Sequence, residues 1–343
     1  MPNSKTPKEL GYKMPAEWEK HEATWLVWPK DPDTFPKGII EPVEKAYTRI
    51  ISSLAKGEKI NLLVDDKETE DEVLSMLSNR KNVFFHHIRS ADVWVRDYGP
   101  IFIKKNNEVV ATKWTFNSWG NKYKELLMDN ETGMKIAESA KSKIFEPGMV
   151  LECGSIETNG LGTCITTEQC LLNKNRNPKL SKDEIENYLE SYLGFDNIIW
   201  LKNGIEGDDT DGHVDDIARF VNENTVVCMV EKNLDDDNYK NLKENFRILK
   251  ESYDQGGKKI NVIPISMPRK MEISGRRLAA SYANFYIGNA SILVPTFNDK
   301  NDEKAISIIG KFFPGKEIIG IDCKDLVYGY GGIHCITQQQ PSS

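Results

Sequence analysis

The feature of this 343-residue chain that most constrains its fold is an internal repeat. In four segments an apolar strand, a short turn rich in Asn, Gly or Glu, and a second apolar strand follow one another. Such turns between β-branched and aromatic runs are typical of hairpins. The predicted hairpins span residues 101–111, 155–165, 217–228 and 284–294. Their starts recur roughly every 60 residues, so the chain can hold about five such units.

A helix and then another strand follow most of these hairpins. Apolar residues at three-and-four spacing predict helices, over 182–193, 238–252 and 303–312. Apolar runs predict the strands that follow them, over 197–201, 260–265 and 317–321. The first unit adds a strand over 24–28, a helix over 41–54 and a strand over 59–64. The predicted unit is therefore a ββαβ repeat in an α/β protein.

The two ends of the chain each lack a partner in this scheme. The last predicted strand, residues 333–337, has no hairpin partner, and the strand over 24–28 has no predecessor. Repeats that bury a face against the next form either an open solenoid or a closed ring. Pairing the two ends closes a ring, so we expect one domain over 1–343 with five-fold pseudo-symmetry and a poorly ordered tail over 1–13. The alternative is a doubly wound α/β sheet, which the same elements could support.

Charge and hydropathy exclude several classes of protein. With a net charge of −7 and no basic stripe, the chain lacks the footprint of a nucleic-acid binder. An acidic surface instead favours a cationic small molecule through long-range steering. No stretch approaches the roughly 18 apolar residues of a membrane span, and the N-terminus lacks a signal-peptide pattern. We expect a cytoplasmic protein without a membrane partner, and an isologous dimer is the default expectation for its assembly as a homo-oligomer.

The cysteines do not form a metal knuckle or a disulfide framework, because they are widely scattered and none belongs to a Cys-x-x-Cys pair. They are Cys153, Cys164, Cys170, Cys228, Cys323 and Cys335. Reduced thiols are therefore expected, most of them as packing residues in the core.

Five polar side chains occupy equivalent places just before or at the start of different units: Asp97, Glu152, His213, Asp215 and Cys335. In a ring these places converge on the axis, which gives scattered residues a reason to share one site. Taken singly, each has a simpler interpretation. Asp97 could pair with Arg96, His213 could be a core histidine satisfied by a carboxylate, and Cys335 could be a packing residue.

Metal sites are weaker interpretations of the same residues. The run 208–211 could be a solvated acidic loop or a Ca²⁺ site, but it lacks the spaced ligands and distal Glu of an EF-hand. Zinc ligation by Asp, His and Cys is conceivable, yet no pair has a familiar ligand spacing.

The five side chains suit the chemistry of a guanidinium group. This group presents five N–H donors and stays charged, so a dry pocket needs carboxylates such as Asp97 and Asp215 to hold it. His213 and Asp215 are two residues apart, so on a strand they face the same way. Cys335 is the strongest nucleophile available once it is a thiolate. His213 is the predicted acid and base, and Glu152 could orient it. The predicted reaction is hydrolysis of a guanidine through a covalent cysteine adduct, without a metal or organic cofactor.

Four motifs resemble one known family over nearly the whole chain: residues 14–22 (MPAEWEKHE), 94–100 (WVRDYGP), 212–215 (GHVD) and 333–341 (IHCITQQQP). They resemble the agmatine deiminases, which are related to the Porphyromonas-type peptidylarginine deiminases. The resemblance implies a five-bladed α/β propeller, the fold of guanidine-modifying enzymes. It also implies conversion of agmatine and water to N-carbamoylputrescine and ammonia, a step of putrescine synthesis.

The resemblance assigns the same roles to the site residues. It implies that Cys335 is the nucleophile, His213 the acid and base, and Glu152 the supporting carboxylate. Asp97 and Asp215 are the implied guanidinium ligands, and Trp94 is implied to line the substrate channel.

The chain departs from the family pattern at two places. The family usually has GGGNIHC where residues 329–335 read GYGGIHC, and often EGGSIH where residues 152–157 read ECGSIE. The predicted catalytic residues survive, but loops near these changes could contact the tail of the substrate. Peptidyl-arginine and free arginine therefore stay open as substrates, and a non-catalytic guanidine-binding protein is the alternative from another class. Because a receptor needs no thiol, the complete set of Cys335, His213 and Asp215 counts against it.

Overall fold

The computed structural model describes residues 5–343 as a mixed α/β fold. Five sheets have one plan, in which a strand pairs antiparallel with a second strand and the second pairs parallel with a third. Their strands are β1 (His21–Val27), β2 (Lys59–Val64), β3 (Val83–His87), β4 (Ile101–Lys105), β5 (Glu108–Thr112), β6 (Ile144–Phe145), β7 (Ile156–Thr158), β8 (Thr163–Thr167), β9 (Asn197–Leu201), β10 (Ala218–Asn222), β11 (Thr225–Val230), β12 (Asn261–Ser266), β13 (Glu272–Ile273), β14 (Arg276–Arg277), β15 (Tyr286–Ile287), β16 (Ser291–Thr296), β17 (Glu317–Asp322) and β18 (Gln338–Pro341).

The sheets follow the predicted repeat. Their orders are β18-β1-β2-β3, β4-β5-β6, β7-β8-β9, β10-β11-β12 and β15-β16-β17. Each predicted hairpin is confirmed as an antiparallel pair, joining β4 to β5, β7 to β8, β10 to β11 and β15 to β16. The hairpin β13–β14 and the edge strand β3 are additions to the repeat.

Most helices lie between the second strand of an antiparallel pair and the parallel strand that follows it. They are α1 (Ile40–Leu54), α2 (Lys67–Met76), α3 (Val95–Tyr98), α4 (Ser118–Asn121), α5 (Asp129–Ser139), α6 (Glu168–Leu171), α7 (Lys182–Leu193), α8 (Asn238–Glu251) and α9 (Asp302–Gly310). Helix α7 shows why the sequence signals are reliable here. Ser181 and Glu184 form a capping box at its start, and Gly194 ends it in the left-handed conformation at φ 75°. Within residues 5–343 no helix has the length and apolar character needed to cross a membrane.

The two ends of the chain pair with each other, because β18 lies antiparallel to β1. The predicted pairing of the ends is therefore confirmed, but the position of the last strand is wrong. It begins at Gln338, and residues 333–336 form a turn. The carbonyl groups of this turn have other partners. Thr337 Oγ1 donates to the Ile333 carbonyl at 2.9 Å, and Arg96 Nε donates to the His334 carbonyl at 3.1 Å.

The N-terminal segment makes defined contacts over part of the range predicted as a tail. Residues 1–4 lie outside the described residues. Tyr12 is buried, and Lys8 Nζ pairs with Glu190 at 2.6 Å and Asp196 at 2.8 Å.

Short helical turns precede the first strand of three sheets and carry the polar side chains of interest. They are α3 before β4, the 3₁₀ helix Cys153–Ser155 before β7 and the 3₁₀ helix Val214–Asp216 before β10. The turn over 333–336 stands in the same relation to β18. A large apolar core surrounds these turns, so the side chains that they carry are enclosed by protein.

Candidate active site

Three of the predicted site residues converge on one small space beside Gly154. A Cβ added at Gly154 would lie 2.6 Å from His213 Nδ1, 2.9 Å from Asp97 Oδ1 and 3.1 Å from Asp215 Oδ2. Cys335 completes the group, with its Sγ 3.8 Å from Asp215 Oδ2. Only glycine fits here, because real Cβ atoms do not approach other atoms so closely, so the polar groups pack directly against the Gly154 backbone. The four residues come from turns that precede three different sheets, and the fold brings them together as predicted.

His213 and Asp215 do not lie on a strand, which corrects that expectation. Val214–Asp216 is a 3₁₀ helix. Asp208 stabilises the turn before it, since its Oδ2 accepts from the backbone N–H groups of Gly212 at 2.8 Å and His213 at 3.0 Å. The acidic run 208–211 thus serves in part as a turn-forming segment, as Asp side chains often do.

Asp97 is fixed by neutral donors. Trp119 Nε1 donates to its Oδ2 at 2.9 Å, and the backbone N–H of Gly154 donates to its Oδ1 at 3.3 Å. Burial raises the pKa of Asp97 to about 6, although the nearby His213 opposes this rise. Such a carboxylate gains strongly from a bound cation, because a cation compensates the cost of burying its charge.

His213 is buried, and its Nδ1 lies 3.7 Å from Asp97 Oδ1. Within the part of the chain that the structure describes, neither ring nitrogen has a hydrogen-bond partner. Burial lowers the pKa of His213, but the neighbouring Asp97, Cys170 and Asp215 raise it well above its usual value. The raised pKa favours the imidazolium form, which can give up a proton.

Glu152 lies near His213 but makes its ion pair elsewhere. Its Oε1 accepts from Arg176 Nε at 2.7 Å, and both side chains are fully enclosed. The possible ligand atoms of Glu152, Cys170 and His213 lie within 4.8 Å of one another. The Arg176 guanidinium already compensates the charge of Glu152, so this cluster needs no metal ion for its electrostatic balance.

Cys335 lies at the inner end of an open cavity of about 210 Å³. Burial raises the pKa of its thiol well above the usual value, and Asp215, Asp216 and Asp97 raise it further. Trp94 and Asp97 also line the cavity, and His213, Asp215 and Glu152 lie outside its lining. Trp94 is held by Nε1 donating to Asp92 at 2.8 Å.

Asn284 is a neighbour of the nucleophile that the sequence interpretation missed. Its Nδ2 donates to Cys335 Sγ at 3.2 Å and to Asp216 Oδ1 at 3.0 Å. A signal for it existed, because Asn284 opens the hairpin of the fourth unit and so occupies the repeat position of the other site residues. A lone Asn is more often a turn residue, so its residue type did not indicate a catalytic role.

The residues that depart from the family pattern have defined surroundings. Glu157 Oε2 forms an ion pair with Arg219 Nε at 2.8 Å. A Cβ at Gly332 would lie 2.5 Å from Asn284 Oδ1, so an asparagine at position 332 requires this neighbour to shift. Tyr330 lies at the outer part of the cavity in the left-handed conformation, with φ 78°. The Arg276 guanidinium stacks on its ring, 3.4 Å from the centroid.

The sequence profile of the Porphyromonas-type peptidyl-arginine deiminase family matches residues 13–341. The chain belongs to this family. An agmatine deiminase of Medicago truncatula is 37% identical to this family member over 376 aligned residues, which cover 98% of each chain. A solved structure of the agmatine deiminase of Enterococcus faecalis has a TM-score of 0.92 at 32% identity and covers 99% of this chain and 98% of the other. A C. jejuni agmatine deiminase solved with substrate bound has a TM-score of 0.87 at 33% identity, covering 96% of each chain.

Proposed function

We propose that this enzyme hydrolyses agmatine to N-carbamoylputrescine and ammonia through a covalent adduct on Cys335. The observation that carries this proposal is the convergence of the buried Asp97 and Asp215 carboxylates and the His213 imidazole beside Gly154, next to Cys335 in the lining of a cavity. Two carboxylates satisfy the forked donors of a guanidinium in a dry site. The names of the relatives and the complete set of Cys335, His213 and Asp215 support an enzyme over a guanidine receptor.

In the first half of the reaction the bound guanidinium changes the charge around the thiol. It neutralises Asp97 and Asp215, which raise the pKa of Cys335 in the free enzyme. When substrate binds, the thiol can therefore release its proton to solvent and become a thiolate. Asn284 then stabilises the thiolate through its N–H. The sulfur attacks the guanidinium carbon and forms a C–S bond. His213 gives a proton to one terminal nitrogen, the C–N bond breaks, and ammonia leaves a thiouronium adduct.

In the second half His213, now neutral, takes a proton from water as the water oxygen attacks the same carbon. The C–S bond breaks, the electron pair returns to the sulfur of Cys335, and a ureido product leaves. Glu152, bound to Arg176, supports His213 as a nearby negative charge rather than through a direct hydrogen bond.

The outer part of the cavity supports a substrate whose tail ends in an amine. Carboxylates from several segments line it, namely Asp31, Asp33, Glu125 and Asp209. Asp209 already accepts from the Tyr123 hydroxyl at 2.7 Å and is partly exposed. An ammonium group at the end of a four-carbon chain finds opposite charge there, and putrescine synthesis is the proposed context.

Arginine is the second candidate substrate, because one observation favours it. Among the described residues that line the cavity, Arg276 is the one Lys or Arg. A cation at this place could bind the α-carboxylate of arginine. Its Nη2 already donates to the Tyr328 carbonyl at 2.7 Å, and its face covers Tyr330. The carboxylates outnumber it, so agmatine is the better match. Peptidyl-arginine has only the family description in its favour.

We also propose that the five repeated sheets surround a common axis as blades of one propeller-like catalytic domain over 1–343. The pairing of β18 with β1, the shared strand order and the meeting of side chains from several sheets support this arrangement. A homo-oligomer in a reducing cytoplasm is the proposed setting, since the mechanism needs Cys335 as a free thiol and the six cysteines are unpaired.

Ammonia release from a substrate panel tests the proposal. The panel contains agmatine, arginine, a peptide with C-terminal arginine and a longer guanidinoalkyl amine, each compared by kcat/KM for wild type and Cys335→Ala. We expect wild type to prefer agmatine and the variant to release no ammonia. Equal release of ammonia by both proteins contradicts the mechanism. A higher kcat/KM for arginine makes arginine the proposed substrate in place of agmatine. Binding without turnover of any guanidine supports the receptor alternative. Intact-protein mass spectrometry during turnover tests the adduct on Cys335 separately.

A further inference from the structure

His334, next to the nucleophile in sequence, joins the active site to a buried ion network. Its Nδ1 lies 2.7 Å from Asp215 Oδ2, and its Nε2 lies 2.8 Å from Glu17 Oε2. His334 and Asp215 are 2% and 0% exposed, so solvent does not compete with these contacts. Glu17 is in turn bound to Arg219 at 2.9 Å, and Arg96 lies 3.6 Å away.

This arrangement divides the two oxygen atoms of Asp215 between different tasks. Oδ2 is occupied by His334, and Oδ1 is buried without a hydrogen-bond partner among residues 5–343. An oxygen that is enclosed and unpartnered can accept an N–H from a bound guanidinium. The contact to Oδ2 fixes the rotation of the carboxylate, so Oδ1 keeps one direction.

The contact also holds the charge of Asp215. Burial raises the pKa of Asp215, but the hydrogen bond and the charge of His334 lower it below the usual value. The adjacent Asp216 shows the outcome without such a partner, because burial, reinforced by Asp215, raises its pKa well above the usual value. The pKa values of two neighbouring carboxyl groups in one dry site are thus displaced in opposite directions.

The hydrogen in the inner contact belongs to His334 Nδ1, because Asp215 must be ionised to bind a cation. Glu17 faces Arg219, His334 and Arg96, which together hold its pKa well below the usual value against the effect of burial. It is therefore an acceptor for Nε2–H. Burial, Arg219 and Arg96 lower the pKa of His334. Each of the two short contacts nevertheless needs a hydrogen between its heavy atoms, and the imidazole is the donor available to both.

We propose that His334 is a positioning residue that sets the direction and the negative charge of Asp215, with Glu17 fixing the imidazole from its far side. The inference rests on the proposed function, since it takes Asp215 to be a guanidinium ligand. His334 acts through Asp215 and does not touch the substrate.

Two substitutions separate the two contacts of His334. The amide of His334→Asn is attached to Cγ, so its N–H group can replace Nδ1 and keep the contact to Asp215. The amide of His334→Gln reaches one bond further and can replace Nε2, which keeps the contact to Glu17. Each is made in the Cys335→Ser background, and the Kd for agmatine is measured by calorimetry.

We expect the Asn variant to bind agmatine within about threefold of the Cys335→Ser parent. The Gln variant should bind about tenfold more weakly or worse, as expected when a hydrogen bond to a charged group is lost. In the single variants, where Cys335 is present, we expect the Gln substitution to raise KM more than it lowers kcat. Alkylation of Cys335 by neutral iodoacetamide should continue in both, which shows that the pocket is intact.

Equal weakening in the Asn and Gln variants overturns the proposal, because a purely structural histidine does not distinguish its two nitrogen atoms in this way. If the Gln variant does not fold, His334→Ala takes its place. The Asn variant must then bind agmatine at least tenfold more tightly than the Ala variant. Failure of the proposed function has a different signature, in which wild type releases no ammonia from agmatine. The Kd values of the Asn and Gln variants are then measured with the guanidine of the panel that binds most tightly. Equal weakening of binding in the two variants again overturns the role of His334.

Discussion

The buried end of the pocket and its mouth differ in how completely their polar groups are paired. The buried end consists of Asp97 and Cys335, which line the cavity, and of His213 and Asp215, which adjoin them outside its lining. Here both ring nitrogens of His213 and Oδ1 of Asp215 have no partner among the described residues. At the mouth (Tyr123, Asp209, Arg276 and Tyr330) Tyr123 donates to Asp209, and Arg276 stacks on Tyr330.

This difference separates chemistry from selectivity. Unpartnered buried groups are costly, so the unpartnered acceptor Oδ1 of Asp215 indicates that a bound guanidinium completes the site. The groups at the mouth are partly exposed and satisfy one another. The binding free energy that a substrate tail gains there is only the difference between its new contacts and the contacts that it replaces. Substitutions at the buried end should therefore have much larger effects than those at the mouth.

The largest effect is expected for Cys335→Ala. Without a sulfur nucleophile no adduct forms, and we expect kcat to fall by about 10⁴ or more in the ammonia-release assay. Cys228→Ala, which removes another buried thiol, should keep kcat within about threefold. Loss of turnover in both variants would mean that the effect comes from packing. It would then give no support to Cys335 as the nucleophile.

Gly154→Ala should inactivate the enzyme by displacing the polar groups that pack against this glycine. The added Cβ meets His213 and Asp97 at less than 3.0 Å. We expect kcat/KM to fall by about 10² or more, as small displacements of catalytic groups can cause. Gly256→Ala is the matched control, because its Cβ meets only the Asp254 side chain at 3.3 Å. Normal activity of Gly154→Ala would show that catalysis does not depend on the close approach of these groups.

The pH dependence of the buried end follows from Asp97. Because burial raises the pKa of Asp97 to about 6, this carboxyl is protonated below that pH and ionised above it. The ionised form binds the cation, so kcat/KM for agmatine should rise through about pH 6, changing roughly tenfold per unit on the acidic side. A profile that stays flat down to pH 4.5 would exclude Asp97 as an ionised ligand.

The mouth should show the smallest effects, and these identify the tail. For a substrate with a terminal amine, Asp209→Asn should raise KM by about tenfold with little change in kcat, because it removes a partner in a partly exposed ion pair. Arg276→Ala should leave KM for agmatine within about threefold or lower it. Should Arg276→Ala instead raise KM for arginine strongly and leave agmatine unaffected, arginine becomes the substrate to which the mouth is adapted.

The sequence predicted the hairpins and the long helices well because their signals are local. A turn such as Asn106-Asn107 and the capping box of Ser181 with Glu184 act over three or four residues. The 3₁₀ turn over Val214–Asp216 and the late start of β18 were not predicted. Their backbone groups are satisfied by side chains of Asp208 and of the distant Arg96, and propensity contains no information on such partners.

For the candidate site, the repeat predicted which residues meet but not how they pair. Asp97, His213, Asp215 and Cys335 meet because equivalent turns of successive units face one place. Glu152 was predicted as a carboxylate that could orient His213; the sequence did not predict its ion pair with Arg176. Asn284 was missed although it occupies the same repeat position, because an amide gives no titratable signal.

The sequence by itself determined the repeated hairpin, helix and strand, the family and the identity of the reactive groups, since these depend on local patterning and on residue type. Tertiary structure decided the directions and charges of those groups. The pKa of Asp215 is lowered while that of the adjacent Asp216 is raised, since His334 reaches one carboxyl group and not the other. The polar groups meet beside Gly154 because segments more than 50 residues apart converge there. Such effects fall off over a few ångströms in a dry interior, so only the folded arrangement could set them.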